Sequence, residues 1–113
     1  MKDYWLVIDE DSMFIEICFP DNRMNTVNAC LATLHGEQQQ RMLERLREVT
    51  KDTAPFTLSY EYFTMDVDPY IIDCVFHMFG EPIKFFLFKR IFTEALGEYL
   101  EQMKKLHRSR GRQ

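Results

Sequence analysis

The chain has 113 residues, a formal net charge of −4, 46% hydrophobic and 14% aromatic residues, which suits one domain with one core and excludes wholesale disorder. Four glycines and four prolines are too few for an all-β protein built on many tight turns, or for a glycine-rich phosphate loop. Three cysteines, Cys18, Cys30 and Cys74, form no CxxC pair, so neither a disulfide framework nor a zinc ribbon is expected and a reducing, cytoplasmic setting is.

The opening MKDYWLVIDEDSMF has too short an apolar run for a secretory signal, so the chain reads as mature as written. The most apolar stretch, Tyr70 to Phe92, is broken by Asp73, His77, Glu81, Lys84, Lys89 and Arg90, and no membrane crossing is expected. Charge is unevenly divided. All 18 acidic residues precede position 104, while five of the 14 basic ones lie in the last ten residues, KKLHRSRGRQ. The acidic body favours a basic partner. The basic end lacks the interleaved aromatics of a nucleic-acid binder, so specific nucleic-acid recognition is not expected.

Tyr4–Glu10 and Met13–Phe19 are rich in β-branched and aromatic residues around the polar Asp11-Ser12, which predicts a hairpin. In its second arm Met13, Ile15, Ile17 and Phe19 share one face and Phe14, Glu16 and Cys18 the other. Val27, Cys30, Leu31 and Leu34 recur at helical spacing, with Asn25 as N-cap and Gly36 as C′. Glu37–Thr50 places Met42, Leu43, Leu46 and Val49 on one stripe with Gln38 to Arg41, Glu44, Arg45 and Glu48 outside, an amphipathic helix. After Ala54-Pro55, the alternation over Phe56–Met65 predicts one strand. Residues 68–80 read as a helix with Asp68 as N-cap, Pro69 at N1 and Gly80 as C′; a strand there would make the sheet four-stranded. Ile83–Leu106 reads as one long helix whose stripe is Phe88, Phe92, Ala95, Tyr99, Met103 and Leu106.

Chemistry-bearing motifs are few. Leu6-Val7-Ile8-Asp9-Glu10-Asp11-Ser12 runs an apolar strand into clustered acids. Over those residues alone it resembles the start of a response-regulator receiver domain or a haloacid-dehalogenase-type phosphatase, which implies Mg²⁺ and a phosphoryl-accepting Asp9 or Asp11. Such folds need strand–helix repeats, whereas here a second strand follows at once. Cys74 and His77, one helical turn apart, with Cys30 and His35 would supply four zinc donors, but in no known finger spacing, and small core cysteines are the commoner use. No catalytic constellation and no cofactor are indicated.

The expected fold is α+β: an N-terminal hairpin plus a later strand in a small antiparallel sheet, packed against helices, with a long C-terminal helix. Residues 1–107 form one domain and 108–113 a frayed basic tail. The expected function is a small acidic cytoplasmic binding module of the inhibitor, immunity-protein, adaptor or chaperone type, engaging a basic protein surface through Asp9, Glu10, Asp11, Asp66 and Asp68. The first alternative is a structural homodimer joined near residues 83–92 through Phe85, Phe88 and Phe92; the second is the Mg²⁺-dependent phosphotransfer protein.

Overall fold

The computed structural model describes residues 2–78 and 80–111. In chain order it contains β1 (Trp5–Asp9), β2 (Phe14–Cys18), a short 3-10 helix (Asn22–Thr26), α1 (Val27–Ala32), α2 (Gly36–Arg47), β3 (Phe56–Ser59), β4 (Phe63–Val67), β5 (Ile71–Phe76), β6 (Ile83–Phe88) and α3 (Lys89–Gly111). The fold is α+β, with every strand pair antiparallel: β1 and β2 form a hairpin sheet of their own, and β3-β4-β5-β6 form a four-stranded meander. The expected hairpin and long C-terminal helix are present, and the later strand does lie in an antiparallel sheet, but that sheet is the meander and does not include the hairpin. No helix among the described residues is long and apolar enough to cross a membrane.

Three elements differ from expectation, each for a local reason. The single strand over 56–65 is a hairpin: Tyr60 N–H donates to the Phe63 carbonyl at 2.9 Å and the two rings stack at 4.6 Å. The turn contains neither Gly nor Pro, and the alternation of Leu58, Tyr60 and Tyr62 runs on through it, so the pattern reads as continuous. The helix over 68–80 is β5. Asp68 does cap, but it caps a turn, its Oδ1 accepting from the N–H groups of Tyr70 and Ile71 at 2.7 Å each. Asp-Pro serves tight turns as well as helix starts, and the β-branched Ile71, Ile72 and Val75 favour the strand. Gly80, expected as a helix C′ residue, has φ +76 and serves the β5–β6 connection instead. The apolar start of the expected long helix is β6, which resolves its all-round hydrophobicity: Phe85 and Leu87 point inward while Phe86 and Phe88 point outward.

Smaller shifts concern caps. Asn25 does not cap α1; its Oδ1 accepts from Phe19 N–H at 2.7 Å. Gly36 opens α2 rather than closing α1. Gln39, expected outside, is buried and donates from Nε2 to the Leu31 carbonyl at 2.9 Å, satisfying the open end of α1. α3 is helical through Gly111, so the expected tail from 108 continues the helix, and Arg112 and Gln113 lie outside the described residues.

The core is a single apolar cluster. α3 presents Phe92, Ala95, Leu96, Tyr99 and Leu100 on one stripe, and α2 presents Met42, Leu43 and Leu46. These meet Phe63, Met65, Ile72, Cys74 and Leu87 from the inner face of the meander, together with Ile15, Ile17 and Phe19 from β2 and just beyond it. α3 packs on α2, β2 and β6, and the 3-10 helix lies against both β2 and β6. The hairpin is thus held to the body by its inner face and by the 3-10 helix, without strand pairing to the meander.

Candidate functional site

Strand register sorts the hairpin side chains. Trp5 opposes Cys18, Val7 opposes Glu16 and Asp9 opposes Phe14, while Leu6 opposes Ile17 and Ile8 opposes Ile15. Because successive residues point to opposite faces, the second set faces the core and the first faces outward. The outward set includes three large apolar side chains left open to solvent, Trp5 at 46%, Val7 at 47% and Phe14 at 51% exposure, and Ile8 on the margin is 43% exposed. Half of the exposed large hydrophobic residues among those described therefore sit on this one hairpin, a concentration that folding does not require.

The hairpin has two edges of different kinds. Along β2, Asn28 uses its side-chain amide as a strand would use its main chain. Its Oδ1 accepts from Ile17 N–H at 2.9 Å, and its Nδ2 donates to the Ile17 carbonyl at 2.7 Å and to the Asn25 carbonyl at 3.0 Å. The main-chain groups of Ile17 thus point away from β1, so Leu6–Ile17 is a non-hydrogen-bonded pair and, two residues on, so is Ile8–Ile15. It follows that the N–H and C=O groups of Leu6 and Ile8 point away from β2. Among the described residues no strand lies on that side and no hydrogen bond reaches those groups.

Two hollows of about 420 and 490 Å³ lie between β1 and α3. Glu10, Asp11 and Lys105 are among the residues around one; Asp3, Glu94, Glu98 and Lys2 are among those around the other. Tyr4 crosses from the start of β1 to α3, its hydroxyl donating to Glu98 Oε2. Partial burial, reinforced by this carboxylate, pushes the Tyr4 hydroxyl up to about 12.

The five expected acidic residues fall into two groups in different sheets. Asp9, Glu10 and Asp11 form the hairpin tip, where Met13 takes φ +55. Asp9 Oδ1 accepts from the N–H groups of Asp11 at 3.0 Å and Ser12 at 3.3 Å. Bonding to Ser12 and then Asp11 holds the Asp9 carboxyl below the usual carboxylate range, so its charge persists into mild acid. Asp66 and Asp68 belong to the meander. Asp66 accepts from Thr57 Oγ1 at 2.6 Å and lies opposite Asp73, and Asp68 is held low by the N–H groups of Ile71 and Tyr70. A shallow hollow of about 310 Å³ joins Asp66, Asp68 and Asp73 with Thr57.

The proposed self-association residues also divide. Phe85 and Phe92 are core residues, and of the three only Phe88, 44% exposed, faces outward. It contacts Phe86 edge-on at 5.4 Å. The correction follows from β6 being a strand: alternation sends Phe85 inward, and Phe92 belongs to the buried stripe of α3. The zinc arrangement has no helix to support it, since Cys74 is buried in β5 and His77 and His35 are exposed. Burial pushes the Cys30 thiol up to about 12 and the Cys74 thiol up as well, which keeps both protonated.

Sequence reasoning missed the apolar half of this surface and the α3 acids beside it. The signal was present in β1, where Trp5, Leu6, Val7 and Ile8 are apolar without alternation; a strand with one covered face leaves half of such a run outside. No protein-family model matches the chain, and no curated protein sequence or solved structure matches it either.

Proposed function

We propose that the protein is a small acidic binding module of the cytoplasm that engages another protein through its N-terminal hairpin. One observation carries the reading: Trp5, Val7 and Phe14 stand exposed on one face of the hairpin, interleaved with Asp9 and Glu16 and beside Glu10 and Asp11 of the tip. Exposed apolar anchors beside carboxylates suit a protein-binding surface, the anchors supplying affinity and the charges steering approach. The carboxylates select a partner whose own surface is basic. Three free thiols, two of them in the core, support a reducing compartment.

The test is affinity capture at two salt concentrations with three baits. A protein retained stoichiometrically by the native chain, weakened at high salt and lost with Trp5→Ala and with Val7→Glu, is the expected result. Truncating a central aromatic anchor costs about 2 kcal/mol, roughly thirtyfold in affinity. Capture that survives both substitutions would remove the hairpin from the interface.

A further inference from the structure

Resting on that reading, we infer that the partner contributes an extended, lysine- or arginine-bearing segment that pairs with the open edge of β1 and makes the hairpin three-stranded, lying in the slot between β1 and α3.

The main chain supplies the first argument. Leu6 and Ile8 hold their N–H and C=O groups away from β2, which is the hydrogen-bonding pattern an added antiparallel strand needs. β1 lacks the usual protections of an edge: from Trp5 to Ile8 it carries no proline and no charge. At about 3.3 Å per residue, a partner segment of some five residues matches it.

Charge selects the occupant. Around the two hollows stand Asp3, Glu10, Asp11, Glu94 and Glu98 against Lys2 and Lys105. A second copy of this chain is a poor fit, because a two-fold β1–β1 pairing centred on Val7 sets Asp3 opposite Asp11 at both ends, and like charges directly opposite destabilise a sheet. A basic segment meets the same carboxylates with opposite sign. In alternate positions its side chains fall on the outer face beside Trp5 and Val7, or inward toward Glu94, Glu98 and Gln102 of α3.

The experiment is amide hydrogen exchange followed by NMR on the full chain, with an end-blocked peptide of alternating lysine and valine as probe and its glutamate–valine counterpart as control. The expected result is that the lysine peptide slows exchange at Leu6 and Ile8 by about tenfold or more, that Val7, already bonded to β2, changes little, and that the glutamate peptide does nothing. Ile8→Pro removes the outward N–H without touching a bond to β2; the folded variant, checked by circular dichroism, loses peptide binding, and unchanged binding would overturn the proposal. Peptide shifts at Trp5 without protection at Leu6 and Ile8 would overturn strand pairing and leave the binding surface standing. No response to the peptide at any concentration would also overturn it, while capture lost with Trp5→Ala would still uphold the binding function. Protection at Leu6 and Ile8 that rises with protein concentration in the absence of peptide would replace the basic segment with a second copy.

Discussion

Removing the Asn28 amide tests the structural argument on which the open edge depends. In Asn28→Ala the buried Ile17 loses the partner of its N–H and the partner of its C=O together, and the Asn25 carbonyl loses one donor. A buried main-chain group left unpaired costs about 1–3 kcal/mol. Because Asn28 itself is half-buried and water can follow its truncation, the lower end applies to each group, giving about 2–3 kcal/mol in all. Asn25→Ala provides the internal scale. It removes a single bond, Phe19 N–H to Oδ1, and should cost about 1 kcal/mol. Urea unfolding followed by far-ultraviolet circular dichroism gives both values, with the slope unchanged if the folded state keeps its compactness. A loss below about 0.5 kcal/mol for Asn28→Ala, or equal losses for the two variants, would refute the assignment of Asn28 as a surrogate strand. The deduced direction of the Leu6 and Ile8 main chain would fall with it.

Three further outcomes follow from named contacts. Phe92→Ala should destabilise by about 3–5 kcal/mol and Phe88→Glu by less than about 1, since only the first empties core volume; thermal unfolding separates them. Light scattering on Phe88→Glu should give the native mass, and a fall to half of it would restore β6 as a subunit contact. Tyr4 should titrate near 12, read by NMR of labelled tyrosine. Its neutral form is the one the fold favours, so its contribution is full below the unfolded value near 10 and is lost as pH climbs through 12. Glu98→Gln should lower the Tyr4 value without normalising it, because burial is the larger cause. In the native protein Ellman's reagent should leave Cys30 and Cys74 unmodified and react at most with the half-buried Cys18, whereas all three react in denaturant.

The hairpin and the two amphipathic stripes were legible because their periods are carried by residues of one kind. Ile15, Ile17 and Phe19 alternate cleanly, and Met42, Leu43 and Leu46 keep the helical spacing. What failed was punctuation. The β3–β4 turn has no Gly or Pro, and Asp68-Pro69 and Gly80 are punctuation that helices and strands share. Misreading β5 and β6 then displaced Phe85 into an imagined interface. At the candidate site the acids of the hairpin tip were found from their clustering, but Trp5, Val7 and Phe14 were not. The unbroken apolar run of β1 signals that half of it faces outward but not which half; that depends on the strand partner and on α3, which lies far along the chain. Likewise no sequence pattern distinguishes an asparagine that caps a helix from Asn28, which pairs with Ile17.

The inner face of the hairpin is covered by α3, the last element of the fold, although the hairpin itself comes first in the chain. During synthesis Ile15, Ile17 and Phe19 therefore stay uncovered until α3 has been made. An isolated two-stranded hairpin is marginal in water, and the loop that must close to bring α3 onto it spans most of the molecule. Docking of α3 onto the hairpin is thus a long-range step, the kind that contact order makes slow, and until it occurs the inner face of β2 is where aggregation competes with folding.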